Sequence, residues 1–108
     1  MNLPSEIFGN VIVVHAPEEL AADAAEQFEA YLPKLDRENV VLDVDKTETL
    51  DSLGLAALLN CQDALVRRGG QMKISAANAT NRKILEITRL DRQIEVFPSV
   101  IDAVKSFQ

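Results

Sequence analysis

The stretch Val40-Val41-Leu42-Asp43-Val44-Asp45-Lys46-Thr47-Glu48-Thr49-Leu50-Asp51-Ser52-Leu53-Gly54-Leu55 decides the fold. Its first five residues form the short β-branched run that a buried strand needs, and Asp45 to Glu48 are polar enough to be a surface connection. From Leu55 to Val66 the large apolar residues fall at 55, 58, 59, 65 and 66, which share one face at helical spacing. A strand therefore passes through a turn into a helix whose N-terminus holds Asp51 and Ser52. Ser52 reads as the N-cap, its hydroxyl accepting from first-turn amides, and the helix dipole favours Asp51 beside it. The same place suits a phosphate, which would meet free N–H groups and the positive dipole end.

Working outward, Ile7-Phe8 between Pro4 and Gly9 predicts a short edge strand, and Val11 to Val14 predicts a strand covered on both faces. Leu20 to Leu32 places Ala24, Phe28, Tyr31 and Leu32 at spacings of three and four before Pro33, the pattern of an amphipathic helix. The helix from Ser52 runs to about Arg68 and stops at Gly69-Gly70. Gln71 to Ser75 alternates as a strand with one solvated side does. A third helix starts at Asn78 to Asn81, with Ile84, Leu85, Ile87 and Thr88 on its buried side. Ile94 to Phe97 reads as a last strand, and Pro98 to Phe107 as a closing helix begun by Pro98 or Ser99. The expected fold class is α/β, a mixed sheet of about four to five strands packed against about four helices.

At 108 residues the chain is expected to form a single domain, 1–108. Its 47% hydrophobic and 26% charged residues are those of a folded globular protein. A net charge of -6, with no clustered Lys and Arg beyond Arg67-Arg68, argues against nucleic acid as a partner. No apolar stretch approaches a membrane span and no secretory leader is apparent, so no membrane insertion and a cytoplasmic location are expected. Cys61, the lone cysteine, reads as a small buried hydrophobe, and one His with one Cys offers no metal-ligand spacing. No Gly-rich phosphate loop follows the first strand, so no cofactor is expected. A hydrolase reading with Ser52 as nucleophile lacks a G-x-S-x-G elbow and has only His15 for a base, so the protein is not expected to be an enzyme.

Taken together, Val41-Leu42-Asp43-Val44, Asp51-Ser52-Leu53-Gly54-Leu55, Arg68-Gly69-Gly70-Gln71-Met72 and Ile84-Leu85-Glu86-Ile87-Thr88-Arg89-Leu90-Asp91 resemble a STAS domain, the fold of bacterial anti-sigma factor antagonists. The resemblance covers roughly residues 38 to 107 and rests on the order and spacing of these parts. It implies that Ser52 is the phosphorylation site of a partner kinase, and that Glu19, Asp51, Ser52, Leu53 and Gly54 bind the partner. It also implies the circuit: an anti-sigma factor acting as serine-protein kinase binds the unmodified chain, the sigma factor is freed, phosphorylation ends binding, and a serine phosphatase restores it. ATP belongs to the kinase in this scheme. The chain departs from the family pattern at Leu53, where relatives usually carry Ser or Thr. It departs again at Glu18-Glu19-Leu20-Ala21, where a Gly-Glu-Leu-Asp-like segment is usual. That second departure favours an alternative, a STAS subunit of a lipid-transport ABC complex or a stress-sensing complex, with Ser52 serving as a cap.

Overall fold

In the computed structural model, which describes residues 1–108, a five-stranded sheet is ordered β1-β2-β4-β6-β7. The strands are β1 (Ser5–Phe8), β2 (Val11–His15), β4 (Asn39–Asp43), β6 (Gln71–Ser75) and β7 (Val96–Phe97). β1 returns antiparallel to β2 through a turn at Gly9, while β2, β4, β6 and β7 are parallel. Parallel neighbours need crossovers, which the helices α1 (Ala22–Tyr31), α2 (Ser52–Arg67) and α3 (Ala79–Ile87) supply. A separate ribbon, β3 (Glu19–Leu20) paired in parallel with β5 (Thr49–Leu50), stands outside the sheet. The mixed sheet and the helices match the expected fold class, with α4 (Val100–Lys105) as the fourth helix.

Alternation along the strands sorts the core onto two faces. Ile12, Val14, Val40, Leu42, Met72 and Ile74 meet Phe28 of α1, Leu58, Cys61 and Leu65 of α2, and Leu85 of α3. Each large side chain buried there contributes about 1.5–3 kcal/mol. On the other face Val11, Val13 and Val41 lie against Ala103 of α4. The strands are thus buried on both sides, as a parallel sheet requires.

This double cover corrects the reading of β6. Lys73 shares the α4 face and is 5% exposed, so that side is not solvated. Its Nζ donates to Ser106 Oγ at 2.8 Å and to the Ser106 carbonyl at 3.2 Å, and lies 4.2 Å from the Phe107 ring centroid. A lysine can lie under a helix in this way because its stem is apolar and its head has acceptors and a π face.

Three helix readings shift as well. α1 starts at Ala22, because Leu20 is taken by the ribbon. The buried stripe of α2 is Gly54, Ala57, Leu58, Cys61 and Leu65, with Val66 exposed. On α3 only Asn81 and Leu85 are buried, whereas Ile87 and Thr88 are exposed because the helix ends there, past the edge of the sheet contact.

Candidate functional site

The strand-to-helix turn begins with an unexpected division of labour. Asp51, with extended backbone, is the N-cap of α2, and its Oδ1 accepts from the Gly54 amide at 2.9 Å. The Asp51 carbonyl takes the amide of Leu55 at 3.0 Å. Ser52 is the first residue of the helix and is exposed. The capping role expected of Ser52 therefore belongs to Asp51, whose carboxylate reaches the third amide of the helix. An aspartate cap is also electrostatically the stronger choice at a positive dipole end. The Ser52 hydroxyl is left facing solvent.

The ribbon brings Glu19 to this turn. Glu19 is in register with Thr49 and Leu20 with Leu50, and the Glu18 carbonyl accepts from the amides of Glu48 at 2.8 Å and Thr49 at 3.1 Å. Leu20 is fully buried, so the exposed Glu19 is held by its neighbour. Gly54 explains how close the two segments come. A Cβ on it would lie 1.8 Å from the Leu20 carbonyl oxygen and 2.9 Å from its carbon, so α2 starts directly against the β3 backbone. Glu19, Ser52 and Leu53 form the exposed surface, Asp51 is half-buried, and Gly54 is buried beneath them. Leu53 is 57% exposed, a large apolar side chain in water beside the Ser52 hydroxyl.

The connection that leads from β4 into this turn carries a brace that sequence reading missed. The segment after β4 is not a plain surface connection. Thr47 is 2% exposed and its hydroxyl donates to the Pro17 carbonyl at 2.9 Å. Asn81, 3% exposed, donates from Nδ2 to the carbonyls of Val44 at 2.8 Å and Thr47 at 2.9 Å. Asp45 Oδ1 accepts from the amide of Ala77 at 2.6 Å, tying the connection after β6 to the one after β4. Buried backbone carbonyls need donors, and these side chains provide them where the sheet ladder ends. A signal was present: Asn81 lies four residues before Leu85, on the apolar stripe of α3.

The departure at Glu18-Glu19-Leu20-Ala21 has a structural counterpart. Ala21 is the N-cap of α1 and offers no side-chain hydrogen bond. Ala22, which follows it, has φ +48, a left-handed value uncommon for a residue with a Cβ.

The lone cysteine is buried, as expected. Cys61 is buried in the main core, where burial first and the Glu29 charge second push its thiol up to about 12. His15 is engaged elsewhere, between Glu6 and Asp43. No group of three or more His, Cys, Asp or Glu residues is arranged to hold a metal ion, and no helix is long and apolar enough to cross a membrane.

Comparison with known proteins agrees with this architecture. The STAS domain family matches residues 2–103. A Thermotoga neapolitana protein provisionally named an anti-sigma factor antagonist is 23% identical over 109 residues, covering 97% of this chain and 96% of the relative. The crystal structure of the Thermotoga maritima protein given the same provisional name has a TM-score of 0.83 at 23% identity, covering 96% of this chain and 92% of that one. The crystal structure of an anti-sigma factor antagonist from Mycobacterium paratuberculosis gives 0.78 at 24% identity, with 97% and 92% covered. At these identities the structural likeness carries the fold, and the family match extends over nearly the whole chain. The chain belongs to the STAS domain family.

Proposed function

We propose that the protein is an anti-sigma factor antagonist that works as a phosphorylation-controlled partner switch, with Ser52 as the modified residue. The observation that carries the reading is the exposed Ser52 at the first position of α2, relieved of capping by Asp51. The names of the relatives support the class of partner. In this scheme Glu19, Ser52 and Leu53 touch an anti-sigma factor that is also a serine-protein kinase. Asp51 and Gly54 hold those contacts in place from behind. The chain acts by binding and brings no cofactor of its own.

A phosphate on Ser52 adds about -1.5 to -2 charge. It would stand beside Asp51 on the turn that the ribbon brings Glu19 to, a surface that a partner must desolvate. Repulsion and desolvation then both oppose binding. The domain itself tolerates the anion, since an N-terminal charge on a helix is favourable by roughly 0.3–1 kcal/mol. The switch thus operates at the interface, without refolding.

The test is a paired capture from the native host, with the unmodified chain and with Ser52→Asp as bait, alongside circular dichroism and melting of both. The proposal expects an anti-sigma factor kinase on the unmodified bait, its loss on Ser52→Asp, and equal folding of the two. Recovery of transporter or stress-complex subunits on both baits alike would instead establish the constitutive-subunit reading. Unfolding of Ser52→Asp would refute the interface mechanism.

A further inference from the structure

We propose that His15 is a proton-operated latch that fastens strand β1 to the sheet, an imidazolium bridging Glu6 of β1 to Asp43 of β4. His15 is in register with Asp43 at the ends where β2 and β4 finish, and Glu6, in register with Val13, lies diagonally across from it on the same α4 side of the sheet. Nδ1 of His15 is 2.9 Å from Asp43 Oδ2, and Nε2 is 2.9 and 3.1 Å from the two oxygens of Glu6. A neutral imidazole carries one N–H and one lone pair, so it can satisfy only one of these carboxylates and turns a lone pair on the other. The imidazolium satisfies both. Asp43 cannot swing away to relieve the mismatch, since its other oxygen accepts from the Asp45 amide at 3.0 Å.

β1 depends on this link more than an inner strand would. All four of its side chains are exposed, and β2 is its only neighbour in the sheet. Apart from that ladder, it is held only at its two ends: the Pro4 carbonyl accepts from the His15 amide at 3.0 Å and Leu3 touches the main core at its start, and the Gly9 carbonyl accepts from Arg37 Nε at 3.3 Å just past its end. The Glu6 carboxylate makes the one polar side-chain bond of the strand, and His15 receives it. Loss of the proton leaves one of the two carboxylates facing a lone pair and breaks the Glu6–His15–Asp43 bridge, so the edge strand, which has no other polar side-chain bond, opens more often.

The surroundings set the direction of the response. Glu6 and Asp43 face the ring directly, and Glu18 and Lys46 line the same cleft together with Pro4 and Pro17. The hydrogen bond to Glu6 is the largest influence on the ring; partial burial opposes it and Asp43 reinforces it, leaving the pKa raised above the ordinary 6.5. A raised folded pKa means that the latch contributes fully below pH 6.5 and fades as pH rises through the folded value. The pairs are partly exposed, so the effect is a local one and weakens with salt.

The experiment is nuclear magnetic resonance on the full chain at low salt, from mildly acidic to mildly alkaline pH. It follows the His15 ring nitrogens together with amide-exchange protection, corrected for the intrinsic rate, in β1 and in the central strand β6. As the ring loses its proton, protection of β1 is expected to fall about two- to fivefold while β6 is unchanged. Glu6→Gln should lower the His15 midpoint and remove the step, and His15→Gln should hold β1 at the lower protection at every pH. Constant β1 protection through the titration, a parallel loss in β6, or an unmoved midpoint in Glu6→Gln would overturn the proposal.

Discussion

Replacing Gly54 by alanine should destabilise the protein, although alanine is the better helix former by about 1 kcal/mol. The new Cβ would sit 1.8 Å from the Leu20 carbonyl oxygen, where contacts below 3.0 Å do not persist, so the segments must part by at least 1.2 Å, the difference between the two. The opposing atoms are backbone, fixed by the pairing of β3 with β5, and cannot rotate away as a side-chain tip would. Overpacking of this kind costs about 1–3 kcal/mol, enough to outweigh the helical preference. For a domain of this size each kcal/mol lowers Tm by about 4–8 °C. Denaturant melts of the two proteins measure the loss, and amide shifts at Glu19, Leu20 and Leu50 locate it. Gly54→Ala matching or exceeding the parent in stability, with those shifts unmoved, would refute the claim that glycine is there for the close approach.

Three further outcomes test the surroundings of the site. Ala21→Asp should cap α1 and stabilise the fold by about 0.5–2 kcal/mol, read from the urea midpoint, because Ala21 now offers its helix no acceptor. Asn81→Ala should cost about 1–3 kcal/mol, since the Thr47 carbonyl loses its buried donor and Val44 one of two; an unchanged midpoint would show that water substitutes freely. Cys61 should resist alkylation at neutral pH until the protein unfolds, its thiol being buried and pushed up to about 12, so labelling under native conditions would mark opening of the α2 core.

The elements were legible where local chemistry alone determines them. The β-branched run at Val11 to Val14 and the Gly69-Gly70 stop after α2 are of that kind, and Gly69 does adopt φ +87. Contacts made across long sequence separations were not legible. Nothing local tells that Leu20 leaves its helix to pair with Leu50, or that Thr47, in a polar run, turns inward to the Pro17 carbonyl. The stripe of α2 differs for another reason: the buried face uses the small residues Gly54, Ala57 and Cys61 beside Leu58 and Leu65, and a pattern of large apolar residues does not register them. At the site, Asp51-Ser52 placed the helix start correctly, but two adjacent capping types cannot be ranked without the backbone angles. Extended geometry at Asp51 resolves that choice and releases the Ser52 hydroxyl.

The central claim concerns that hydroxyl, and intact-mass measurement with fragment mapping on the chain purified from its own host, before and after phosphatase treatment, addresses it most directly. A phosphatase-sensitive phosphate on Ser52 is the predicted result. A chain that carries none under any growth condition, in a host where the protein is engaged with its partner, would contradict the switch and leave Ser52 as an ordinary first residue of α2.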